Sequence, residues 1–274
     1  MVDNYLEKMQ KANLIMLKEV NRICKKHNIK FRLEAGSMIG AVRHKGFIPW
    51  DDDCDIAFLR DEYEKFKKVL ETEKLEDGIV FVKASSNKDY FHDFVDRIFY
   101  TKILARDGDE FKNRFGGFYQ YPYLDIFILD NLLDITSDST FFRQKAVYGK
   151  AMGHRHDVNF SKYKGSLQNY GAMILSIIGK FKSLEKLYKE HENISKEYIE
   201  LIDSEYVYYS NYPAIWMGYK NLRSSENDLI EVPFEDITLP IVKDYDRLLK
   251  YLYGDYMKFP EKEKQIPEHR YKIW

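Results

Sequence analysis

Positions Leu6, Met9, Asn13, Met16, Leu17, Val20, Ile23, Cys24 and His27 recur at three- and four-residue steps. That spacing predicts an amphipathic helix of several turns. Ile29 to Leu33 then alternates as a short strand, and Ala35-Gly36-Ser37 reads as a small-residue turn before a short helix from Met38 to His44. Lys45 to Trp50 is a loop stopped by Gly46 and Pro49. From Asp51 to Leu59 apolar and acidic positions alternate: Cys54, Ile56 and Phe58 on one face of a strand, Asp51, Asp53 and Asp55 on the other. A helix follows from Asp61 to Leu70. Ile79 to Val82, Phe94 to Phe99 and Leu124 to Leu129 read as further strands, the last ended by Asp130-Asn131. Thr140 to Met152 and Gly171 to Ile202 carry helical periodicity. Tyr206 to Trp216 reads as an aromatic loop. Val232 to Phe234 and Leu239 to Ile241 are short extended pieces, and Asp246 to Leu252 is helical.

No composition shift marks a linker, so the reading is one domain over residues 1–274 with a helical insertion at about 149–212. The formal charge is −1, which argues against a nucleic-acid binder but leaves room for a local basic pocket. Two cysteines, Cys24 and Cys54, cannot build a disulfide framework or a four-cysteine zinc site; both read as core residues. The first residues lack the layout of a signal peptide, and no apolar run reaches a membrane span. The expected location is cytoplasmic. The aromatic C-terminal third and the Ala172 to Ile178 patch leave room for peripheral contact with the inner face of the cell membrane.

Read alone, an acidic run is a solvated loop. Four Asp in five positions on a strand with an apolar reverse face call for more, because like charges raise one another's pKa. A hard divalent cation, Mg²⁺ or Mn²⁺, offsets that repulsion. Asp53 and Asp55 lie on one strand face about 7 Å apart. Asp125, a lone acid in an apolar strand, is the third candidate ligand and the candidate general base. Asp52 falls on the other face and reads as capping or solvated; Asp130 reads as a turn residue. Gly36 lets the backbone approach an anion, Ser37 adds a hydroxyl, and Arg43, His44 and Lys45 add positive charge. A phosphate cradle, metal and a carboxylate base are the parts of phosphoryl transfer. His154-Arg155-His156 offers groups for phosphate or metal, although a surface helix end explains it at least as well and metal is not the favoured reading. Trp216 to Lys220 offers rings and an amine to a substrate, although core packing with an exposed Lys220 explains it as well.

Gly36 to Ile56, with its GSMIGAVRHKGFIPWDDDCDI run, resembles the signature of the LicD family. Tyr123 to Asp130 is similar to that family's second motif, and Val232 to Glu235 with Leu252 to Met257 to its C-terminal block. The resemblance spans nearly the whole chain, least in the region from about Gly149 to Tyr212. It implies an α+β fold: a nucleotidyltransferase-like mixed sheet flanked by helices, with additional helical segments. It also implies transfer of phosphocholine or another phospho-alditol from CDP-choline or another CDP-activated donor. The acceptor would be a glycan, lipid-linked or free, of teichoic acid or lipopolysaccharide. Related fukutin proteins use CDP-ribitol, so the donor is not settled by family. Trp50 and Trp216 are the nominees for a choline cage. The rival readings are a nucleotidyltransferase moving NMP from an NTP, and a silent choline- or glycan-binding module.

Overall fold

The computed structural model describes residues 3–106, 109–112, 114–134, 136, 139–155, 167–201, 204–212 and 219–267. In chain order the elements are α1 (Asp3–His27), β1 (Arg32–Leu33), α2 (Ala35–His44), β2 (Asp55–Leu59), α3 (Arg60–Leu70), β3 (Ile79–Val82), β4 (Asp96–Tyr100), α4 (Asp109–Lys112) and β5 (Tyr123–Leu132). They continue with α5 (Ser139–Ala151), α6 (Leu167–Gly179), α7 (Leu184–Ser195), β6 (Tyr206–Tyr209), β7 (Lys220–Leu222), α8 (Arg223–Asn227), β8 (Leu229–Phe234), β9 (Ile237–Val242) and α9 (Tyr245–Tyr253). The fold is α+β, as expected.

One mixed sheet runs β1-β2-β5-β4-β3, and β6 and β7 join it through β5. Among the described residues only β2 and β5 pair in parallel; the other pairs are antiparallel. β5 is the axis. Its first half, Tyr123 to Ile126, pairs with β4, and its second half, Leu129 to Leu132, pairs with β6 along the same edge. The fork leaves a gap, and Asn211 fills it. Its side chain accepts from the Ile128 N–H and donates to the Ile126 carbonyl, both at 2.9 Å. A side-chain amide there replaces a missing backbone peptide. On one face of the sheet Phe58 packs on Tyr63 and Phe66 of α3, at ring spacings of 6.0 and 5.0 Å. The opposite face carries the acids.

Several boundaries move from the sequence reading. α2 begins at Ala35, so Gly36 and Ser37 lie in its first turn rather than before it. Glu34 is the reason: its Oε1 accepts from the Ala35 N–H at 2.9 Å and caps the helix. β2 begins at Asp55, and residues 51–54 form an irregular approach. β5 runs on through Asp130 and Asn131. Asp130 is not a turn residue; it is buried, and Arg60 donates to it from Nε at 2.6 Å and Nη2 at 2.8 Å. Tyr206 to Tyr209 is a strand, because β5 supplies a partner that a tyrosine-rich run does not announce. The periodic stretch from Gly171 to Ile202 is two helices, parted after Gly179 and restarted by the Ser183 cap. β8 and β9 pair as a hairpin.

Candidate active site

One row across the sheet holds the candidate chemistry. Asp55 of β2 and Asp125 of β5 are register partners, and Arg97 of β4 is the partner of Asp125 on its other side. Neighbouring strands are about 4.8 Å apart, and side chains in one row share a face. Glu34 extends the row, since its N–H donates to the Asp55 carbonyl at 3.0 Å. Residues 34, 55, 97 and 125 in the sequence thus become one spatial line, Glu34–Asp55–Asp125–Arg97, of three carboxylates ending in a guanidinium.

Each member is held. Glu34 Oε2 accepts from Arg32 at 2.6 Å and from the Tyr209 hydroxyl at 2.5 Å; Arg32 also donates to Glu226 at 2.8 Å. The Asp55 N–H donates to the Ser37 hydroxyl at 2.9 Å, which ties the α2 first turn to the start of β2. Arg97 Nε lies 2.6 Å from Asp125 Oδ1, and Arg97 Nη2 lies 2.7 Å from Asp93 Oδ2. Burial works against an ionised Asp93, yet Arg97 and then His92 hold its carboxyl below the usual range. Asp55 has no such relief. Burial first, then the charges of Asp53, Asp125, Asp51 and Glu34, push its carboxyl well above the usual range.

The approach to the row is tight. Ala35 sits at φ +47°, a left-handed conformation that costs a non-glycine residue energy. A Cβ on Gly36 would lie 2.8 Å from Asp51 Oδ2, so a larger residue there would push the Asp51 carboxylate aside. Asp52 is corrected: it is neither solvated nor a cap but fully buried, with the Tyr5 hydroxyl donating to it at 2.7 Å. Cys54 faces the core as expected.

Tyrosines wall the acidic end. Tyr212 packs edge-on to Phe127 at 4.2 Å, and Tyr209 lies 5.2 Å from Tyr212 and 5.6 Å from Tyr219. Burial, then the charge of Asp55, raises the Tyr212 phenol; burial, Glu34 and then Asp55 raise that of Tyr253. Both hydroxyls stay protonated beside the carboxylates.

The structure brings Gly36, Ser37, Asp53, Asp55 and Asp125 together and sets the other nominees apart. Ser37 spends its hydroxyl on the Asp55 backbone. Arg43 and Lys45 lie at the far end of α2, about 9 Å along the axis from Ser37 to Arg43. Arg43 donates to the Tyr256 carbonyl at 2.6 Å and stacks 5.0 Å from Phe259; Lys45 is exposed and caps the helix. Trp50 packs with His44 and Phe259 at 6.1 Å each. Lys220 lies over Phe141 at 4.6 Å, in a row with Asp130 through Tyr208 rather than with Asp125. Trp216 and His156 lie outside the described residues. Sequence reading missed Glu34, Arg97, Tyr212 and Tyr253. For Glu34 a signal existed: Arg32 and Glu34 are charges two apart on a short strand. For Arg97, only the cross-strand register reveals it.

Among the described residues, no three histidine, cysteine or carboxylate side chains form a ready cage for an ion. The donor chemistry nonetheless fits a hard divalent cation. Asp53, Asp55 and Asp125 offer oxygens, and the crowding that raises Asp55 is charge a cation would neutralise.

Residues 28–170, just over half of the chain, match the family described as LicD/FKTN/FKRP, nucleotidyltransferase domain. The lipopolysaccharide cholinephosphotransferase LicD of Haemophilus influenzae is 28% identical over 276 aligned residues, covering 96% of each chain. An uncharacterized protein of Rickettsia prowazekii is 32% identical over 100 residues, 34% of this chain and 38% of its own. No helix among the described residues is long and apolar enough to cross a membrane.

Proposed function

Because this chain belongs to the LicD/FKTN/FKRP nucleotidyltransferase family, we propose that it transfers phosphocholine, or a related phospho-alditol, from a CDP-activated donor to a hydroxyl of a surface glycan. Lipopolysaccharide is the acceptor in the name of its full-length relative from Haemophilus influenzae, and teichoic acid offers the same hydroxyl chemistry. The observation that carries the reading is the row Glu34–Asp55–Asp125–Arg97. It sets oxygen donors beside a fixed cation on a rigid sheet, next to the one helix turn that Gly36 keeps narrow.

Asp53, Asp55 and Asp125 would hold Mg²⁺ or Mn²⁺, which when bound neutralises charge developing on the phosphates. The acceptor oxygen bonds to the phosphorus that carries choline. The bond from that phosphorus to the bridging oxygen breaks, and CMP leaves with the bridging oxygen. The acceptor proton passes to a carboxylate, for which Asp125 is the nominee; Arg97 keeps its carboxylate oriented. The half-buried Tyr212 and the exposed Tyr253 beside the acids suit a quaternary ammonium through ring faces.

The test is CMP release from CDP-choline with and without Mg²⁺, against CDP-ribitol, CDP-glycerol and CTP, with and without a glycan acceptor. Metal-dependent CMP release from one CDP compound, lost in Asp125→Asn with folding intact, supports the reading and names the donor. Pyrophosphate from CTP alone would replace it with nucleotidyl transfer. Ligand binding that survives loss of Asp53 and of metal, without turnover, would point to a silent binding module.

A further inference from the structure

Beyond Arg97 the acid row runs into a stack of rings and guanidinium groups that the transfer chemistry above does not use. Tyr123 precedes Asp125 by two residues on the same strand face. Tyr119 stacks on it at 5.5 Å and 19°, and Phe115 stacks on Tyr119 at 5.9 Å and 18°. Three arginines lie over these rings. Arg97 is 4.7 Å from Phe115 and 5.0 Å from Tyr123; Arg106 is 4.3 Å from Tyr119 and 4.6 Å from Tyr123. Arg114 is 4.4 Å from Tyr90 and 5.6 Å from Tyr119.

The three differ in what they can still do. Arg97 is buried and answered by Asp93 and Asp125. Arg106 is buried and donates to the Tyr119 carbonyl at 3.1 Å. Arg114 is half-buried, and no carboxylate among the described residues pairs with it. His92, edge-on to Tyr119 at 4.6 Å, has an Nδ1 with no hydrogen-bond partner. Burial, and the charges of Arg97, Arg114 and Arg155, push its imidazole down to about 3 despite the opposing pull of Asp93, so these cations share one field. Stacking uses the face of a guanidinium and leaves its in-plane N–H edge for acceptors, the arrangement that suits phosphate.

We propose that the Arg114 guanidinium, backed by Arg106 and the Phe115–Tyr119–Tyr123 ring stack, is an anion subsite that takes phosphate-ester oxygens at the Arg97 end of the acid row. The choice of ligand rests on the transfer reaction proposed above. The same chemistry is carried by the donor diphosphate and by phosphate groups on a glycan acceptor. Arg97 is a positioning residue in this arrangement, since its N–H groups already serve Asp93 and Asp125. The cations that sequence reading placed in the cradle, Arg43 and Lys45, are replaced by arginines from the segment that leads into β5.

The probe is inorganic pyrophosphate, titrated by calorimetry into the full chain, Arg114→Gln and Arg114→Lys at one fixed Mg²⁺ concentration. Thermal melts establish that each variant is folded, and an unfolded Arg114→Gln leaves the comparison to Arg114→Lys. Arg114→Gln should weaken pyrophosphate about tenfold or more, with Arg114→Lys regaining only part, because one charge-assisted bidentate contact is worth about that much. A matching rise in KM for CDP-choline with kcat little changed assigns the phosphate to the donor. An unchanged KM assigns it to the acceptor. Equal pyrophosphate affinity in all three proteins, or none in the unsubstituted chain, overturns the subsite and leaves CMP release as evidence for the transfer reaction. Arg114-dependent pyrophosphate binding in a chain that releases CMP from no CDP compound would overturn the transfer reading and leave the subsite standing.

Discussion

Asn211→Leu isolates the stitch in the central strand. The side chain is buried and has the same heavy-atom count and branching as leucine, so the substitution keeps the shape with bulkier methyls and removes two hydrogen bonds. Those bonds, both 2.9 Å, satisfy the Ile128 N–H and the Ile126 carbonyl where β4 has ended and β6 has not begun. Leaving one buried polar group unpaired costs about 1–3 kcal/mol. Two such groups, discounted for local relaxation, give about 2–4 kcal/mol. Urea unfolding followed by circular dichroism reads this as a lower midpoint at unchanged slope. Because Ile126 follows Asp125 directly, turnover of folded protein should also fall. A loss below about 0.5 kcal/mol would refute the reasoning. It would mean that the two strands or water close the fork without the amide.

Three further outcomes follow from the same geometry. Gly36→Ala drives a methyl to 2.8 Å from Asp51 Oδ2, and CMP release should drop about tenfold or more, ~1.4 kcal/mol in the barrier, with little change in melting temperature. Asp130→Asn removes the charge and one of the two oxygens that accept from buried Arg60 and should cost about 3 kcal/mol in urea unfolding, the low end for a broken buried pair because an amide oxygen remains and Glu64 and Glu192 also lie near Arg60. Burial pushes the His191 imidazole down to about 4, so the folded state holds it neutral while the unfolded chain protonates near 6.5. Its contribution is present above pH 6.5 and is lost as pH falls toward 4, ~3 kcal/mol in all. Melting temperature measured from pH 7 to 4.5 should fall less steeply in His191→Gln than in the unsubstituted chain.

Periodicity alone located α1, α3, β3, β4 and the axis of β5, because burial of one face imposes a local repeat that any partner must respect. It missed β6, whose tyrosines on both faces show no alternation, and β7, whose three residues are too few to set a period. It also misplaced the start of α2: the cap is a glutamate whose role depends on its place beside Arg32 and Tyr209.

The acids divide in the same way. Asp53, Asp55 and Asp125 stood out in the sequence because clustered charge, or lone charge in an apolar strand, is costly wherever the chain folds. That Asp55 and Asp125 are neighbours was decided by the parallel pairing of β2 with β5, which joins positions 70 apart in the chain. The tertiary structure also turned Arg43 and Lys45 toward the C-terminal segment and the outer surface, brought Arg97 into the row, and set Arg106 and Arg114 over the rings beyond it. Sequence distance made Arg43 look close to the acids, while helix rise carried it away. Side-chain type and spacing are local quantities that a sequence states outright. Which cation answers which carboxylate is a property of strand register, and register is set by partners the local sequence does not contain.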